Sequence, residues 1–125
     1  MFQSLDVFKT SMAMARHAGQ MQAVTAQNIA NADTPRYKAK DLPSFHGMMG
    51  GSSGAMRATR AKHLNGSQAL QARAEERSKD MDPNGNTVSL ELEMVKAVDA
   101  KRQHDRALSI YRSGLSIMRA SINTR

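Results

Sequence analysis

Four histidines, His17, His46, His63 and His104, are the side chains of this chain best suited to metal or proton chemistry. None has metal-like spacing with another histidine or with a carboxylate. Ser52 and Ser53 could serve as nucleophiles only beside a base, and they lie in a glycine-rich stretch without one. Gly50, Gly51 and Gly54 are not followed by a lysine and a hydroxyl opening a helix, so they build no phosphate cradle. The chain has no cysteine, which removes thiolate ligands, disulfides and cysteine nucleophiles. Asp99 and Asp105 have basic neighbours, Lys101, Arg102 and Arg106, on the same helix, of which Lys101 and Arg102 stand at the spacing of helical ion pairs. The expectation is a protein without catalytic, cofactor-binding or metal residues: not an enzyme, and needing no cofactor.

Charge and composition narrow the remaining classes. The net charge of +7 invites a nucleic-acid reading. Residues 1–50 carry five basic and three acidic side chains, residues 51–86 six and four, and residues 87–125 seven and four. An excess spread so evenly forms no binding stripe, so no nucleic acid is expected as a partner. Aromatics make up 4% of the chain, and ten methionines stand in for them. Such a core specifies itself poorly and favours a helical structure completed by partners. No run of about 18 apolar residues is present, so no membrane span is expected. The N-terminus lacks the basic start and apolar stretch of a cleaved signal peptide.

The elements that position these residues follow from periodicity. Leu5, Phe8, Met12, Ala15, Gly19, Ala26 and Ile29 recur in steps of three and four, broken only at Gln22, with Val7, Met14 and Met21 beside them. This predicts an amphipathic N-terminal helix over residues 1–32. Leu90, Ala97, His104, Tyr111 and Met118 form a second row, spaced by seven. Met94, Lys101, Leu108, Leu115 and Ile122 interleave with it. Together they predict a coiled-coil helix within residues 87–125, about 50 Å long, opened by Ser89 as cap. Glu91 and Glu93 sit in its first turn, the favourable sign for the helix dipole. Residues 33–86 read as a flexible linker, with a short helix near 66–79 and a dense turn at Asn84-Gly85. The fold class expected is all-α: two terminal helices forming a coiled coil around a largely irregular middle.

Two helices bury only one stripe each, so the apolar faces left over call for other chains. The stretch at residues 28–37, N-I-A-N-A-D-T-P-R-Y, stops the first helix. Thr34 precedes Pro35 and is pushed out of the helical region, while Asn31 and Asp33 can bond back to the backbone. Residues 27–37 also resemble the N-terminal signature of the flagellar rod, hook and hook-associated proteins. Independently, D-P-N-G-N-T-V-S-L-E-L-E-M at residues 82–94 resembles the turn and helix start that this family places before its terminal coiled-coil helix. The short length, A-D-T-P in place of A-N-T-P, and the following Y-K-A-K-D-L point within the family to a proximal rod subunit. Two departures stand out: Arg36 replaces the usual glycine after the proline, and Ser89 the frequent aspartate.

The resemblance implies terminal helices packed as a coiled coil in the inner tube of the flagellar axis. It implies subunit contacts through Asn28, Ile29, Asn31, Asp33, Thr34, Pro35 and Tyr37. It implies a seam in which Leu90, Met94, Leu108, Tyr111, Leu115, Met118 and Ile122 pack against Leu5, Phe8, Met12 and Ala15, within or between subunits. It also implies export through the flagellar type III channel without signal cleavage. Implied partners are other copies, other flagellar rod proteins, the adaptor joining rod to membrane ring, and the export gate. The expected role is a structural subunit of the proximal rod that helps carry torque from motor to hook. The rival readings are a basic helical nucleic-acid-binding protein and a helical regulator or chaperone.

Overall fold

The computed structural model describes residues 2–50, 73–77 and 83–122. Helix α1 spans Phe2–Ala30 and helix α3 spans Leu90–Ile122. A short strand β1 at Lys40–Asp41, a six-residue helix α2 at Phe45–Gly50 and a strand β2 at Glu75–Glu76 lie between them in sequence. His63, Ser52, Ser53 and most of the expected 66–79 helix lie outside the described residues. Within that span the described piece, 73–77, holds β2 instead.

The two long helices run antiparallel. Phe8 near the start of α1 meets Tyr111 near the end of α3 edge-to-face, with ring centroids 5.3 Å apart. Asn28 at the end of α1 bonds Glu93 at the start of α3. The pairing makes the all-α architecture expected from the heptads.

Its axis runs along a narrower line than the large apolar residues suggest. Ser11, Ala18 and Thr25 are the buried heptad row of α1, and Glu93, Ala100 and Ala107 that of α3. Gly114 extends the second row, and a methyl there would stand 3.2 Å from the Phe8 ring. Small side chains at the contact line let two helix backbones approach closely and push the larger residues to the flanks. Phe8, Met14, Ala15, Met21, Leu108, Tyr111 and Leu115 occupy those flanks and are half-buried.

Local chemistry accounts for the shorter elements. Ser44 caps α2, its carbonyl accepting from Met48 N and its hydroxyl accepting from Gly47 N. This turn of helix lies inside the middle expected to be irregular. Strand β1 pairs antiparallel with β2, Lys40 opposite Glu76 and Asp41 opposite Glu75. Ser89 takes the cap position of α3, where its carbonyl accepts the first helical bond from Glu93 N at 3.0 Å. No helix among the described residues is long and apolar enough to cross a membrane.

Candidate functional site

The exit of α1 is tightened by its own residues. Asn31 donates from both backbone and side chain to Gln27 O, and Thr34 N donates to Asn31 O. Carbonyls freed at a helix end need other donors. Asn86 supplies them from more than fifty residues away: its Nδ2 lies 3.0, 2.6 and 3.0 Å from the carbonyl oxygens of Asn31, Ala32 and Thr34. Its own Oδ1 accepts from Val88 N, which holds the entry to α3. One buried side chain therefore caps the end of the first helix and shapes the start of the last.

Asn28 does the matching work from the other side. Its Oδ1 accepts from Lys40 N at 3.0 Å and its Nδ2 donates to Lys40 O at 2.8 Å. The same Nδ2 donates to Glu93 Oε2 at 3.0 Å, and Tyr37 OH reaches Asn28 Oδ1 at 3.4 Å. Thr87 adds two rungs: its amide donates to Tyr37 O, and its hydroxyl accepts from Ala39 N at 2.7 Å. Asn28, Asn86, Thr87 and Glu93 are all buried. Residues 28–40 and 84–93 are thus stitched into a clasp whose largest enclosed side chains are polar.

The turn between the stitches carries its own constraint. Arg36 adopts φ 62° and Gly85 φ 80°. Arg36 N donates to Asn84 O, and the Cα of Arg36 would lie 3.6 Å from a methyl at position 85. Arg36 therefore sits in the left-handed region that ordinarily favours glycine.

An ionic cluster closes the base. Arg77 holds Asp41 through Nε at 2.8 Å and Nη2 at 2.7 Å, and its Nη2 reaches Glu93 Oε1 at 3.0 Å. Lys96 also bonds Asp41 and lies 3.6 Å from Glu93 Oε1. The Arg77 hydrogen bonds hold the Asp41 carboxyl below the usual carboxylate range against the opposing effect of burial, and Lys96 adds to them. The Asp41 contact likewise raises the Arg77 guanidinium. Burial, and then the Glu93 charge, push the Tyr37 phenol upward. Further along α1, buried His17 shares a 2.8 Å hydrogen bond between Nε2 and Pro43 O and packs beside Phe45, tying the start of α2 down.

The same stretch carries the likeness to known proteins. A family model described as flagella basal body rod protein matches residues 13–38, the second half of α1 and its exit. A protein of Agrobacterium fabrum, flagellar basal body rod protein FlgB, is 33% identical over 118 residues, covering 89% of this chain and 88% of its own length. The chain belongs to the flagellar basal body rod protein family. Both ends of the clasp therefore fall inside a family resemblance that spans nearly the whole chain.

Against that family assignment, the expected site residues separate by location. Asn28, Asn31, Thr34 and Tyr37 are drawn into the clasp, Thr34 through its backbone carbonyl. Ile29, Asp33 and Pro35 are exposed beside it. Of the seam, Phe8, Ala15, Leu108, Tyr111 and Leu115 flank the helix contact, whereas Met12, Leu90, Met94, Met118 and Ile122 face outward, Met94 at 60% and Ile122 at 74% exposure. The Leu5 side chain lies outside the described residues. Sequence reasoning did not single out Asp41, Arg77, Asn86, Thr87 or Lys96 as site residues, and gave Glu93 only a part in the helix dipole. Glu93 was legible as the polar member of a small-residue heptad row. Arg77 carried no local signal, since its partners are sixteen and thirty-six residues away.

Proposed function

We propose that this chain is a structural subunit of the proximal rod of the bacterial flagellar basal body, without catalytic activity, that helps carry torque from motor to hook. One observation carries the reading: the two family motifs lock an antiparallel helix pair at one end while broad apolar faces of both helices stay uncovered. A clasp of short side-chain-to-backbone bonds resists shear between α1 and α3, as a torque-bearing subunit requires. Uncovered apolar helix faces are the usual mark of surfaces that associate with other chains. In this reading residues 1–32 and 87–125 are the axial helices, and residues 33–86 form the linker region between them. Met12, Leu90, Met94, Met118 and Ile122 pack against neighbouring subunits, and Ile29, Asp33, Thr34 and Pro35 present the motif loop to one of them. The neighbours are further copies, other rod proteins and the adaptor that joins the rod to the membrane ring. Delivery runs through the flagellar export gate by the type III route, without signal cleavage.

The test is mass spectrometry of hook–basal bodies purified from the source organism and washed in harsh detergent and high salt. The chain is expected to remain at a few copies per rod. Its absence from particles rich in other rod proteins would overturn the assignment.

A further inference from the structure

Among the described residues, 73–77 are held to the rest of the molecule mainly through Arg77. Strand β2 gives only two residues of pairing with β1, and both of its glutamates are exposed. Arg77 supplies what the pairing lacks. Its amide donates to Ala39 O at 2.7 Å, and its guanidinium grips Asp41 at two points and Glu93 at a third. Glu93 is fully buried, so a departing cation must be replaced or the carboxylate is stranded. The replacement is already in position. Lys96 stands one turn along α3 from Glu93, bonds Asp41, and sits 3.6 Å from the Glu93 oxygen that Arg77 holds. It is rooted in α3 and stays when residues 73–77 leave. Asn28 keeps the other Glu93 oxygen throughout.

We propose that residues 73–77 form a releasable strap, closed by Arg77 on Asp41 and Glu93 and opened by handing both carboxylates to Lys96. The strap lifts and bares the backbone edge of residues 39–41, while the helix pair and the clasp remain folded. Salt favours opening, because Asp41 is partly exposed and its share of the grip is screened, whereas the buried clasp bonds are not. The strap is a property of the single chain and does not depend on the rod reading.

Amide hydrogen exchange on the full chain, read by NMR, tests it. The Arg77 amide reports the strap, and the Thr87 amide, bonded to Tyr37 O, reports the clasp. The protection factor of Arg77 is expected to be at least about tenfold below that of Thr87, the gap widening with salt. In Lys96→Met, opening would strand Glu93, so Arg77 protection should rise to meet that of Thr87. Adding Glu93→Gln to that variant removes the stranded charge and should restore the gap. Equal protection in the unaltered chain, no protection at either amide, or a Lys96→Met gap that persists or closes by loss at Thr87 would each overturn the proposal.

Discussion

Asn28 does for the chain leaving α1 what a neighbouring strand would do, offering Lys40 one acceptor and one donor. Replacing it with alanine leaves both backbone groups of Lys40 and one Glu93 oxygen short of a partner in a buried place. Unmade buried hydrogen bonds cost about 1–3 kcal/mol each where water cannot return. Asn28→Ala should therefore lower stability by at least about 3 kcal/mol, measured as a shift in the urea midpoint. Arg36 gives the opposite sign. A non-glycine residue in the left-handed region costs about 1–2 kcal/mol, and glycine returns about 0.5–1 kcal/mol as unfolded-chain entropy. Arg36→Gly is expected to stabilise by roughly 0.5–1 kcal/mol in the same measurement, the net of those two. Asp41 sets the acid limb. Its carboxyl is held low in the folded chain, so its contribution is complete above the ordinary carboxylate range and is lost as pH falls through the depressed value. The midpoint should stay level from neutral pH to about pH 5 and then drop. In Asp41→Asn, that drop should be shallower.

Between the two long elements, size at the contact line governs packing more than hydrophobicity does. Ala18, Ala100 and Ala107 are fully buried on that line, while larger neighbours such as Leu108 remain half-buried. Enlarging a closely packed small residue forces side chains off their rotamers or the backbones apart, at about 1–3 kcal/mol. Ala107→Leu should destabilise by that amount, whereas Leu108→Met, on the flank, should change stability by less than about 1 kcal/mol. Thermal unfolding followed by circular dichroism at 222 nm separates the two. A larger loss for Leu108→Met would mean that the axis of contact lies on the large-residue rows after all.

For the whole molecule, the outward faces matter more than the inward ones. Met94, Val95 and Val98 are each more than half exposed on one side of α3. Covering a half-exposed aliphatic side chain regains about 1 kcal/mol, so a face of several such residues holds enough free energy to favour association. Val98→Asp is expected to leave the unfolding midpoint of the free chain nearly unchanged and to abolish swimming in a soft-agar assay. Normal motility with that variant would remove this face from the assembly interface. Leu115→Asp should instead damage both folding and swimming, because Leu115 also flanks the contact with α1.

Periodicity and turn chemistry, both local properties, were enough to place the two terminal helices, the stop at residues 28–37 and the turn at Asn84-Gly85 in the sequence alone. The motif residues were legible for the same reason: their order along the chain is their signature. The tertiary structure alone decided which heptad row lies innermost, because the large apolar residues that dominate a sequence pattern yield the contact line to alanine, serine and glycine when two backbones approach closely. It also decided that Asn86 caps a helix ending some fifty residues earlier and that Arg77 answers a buried Glu93. Hydrogen bonds and ion pairs of that kind depend on distances through space, which no spacing along the chain encodes.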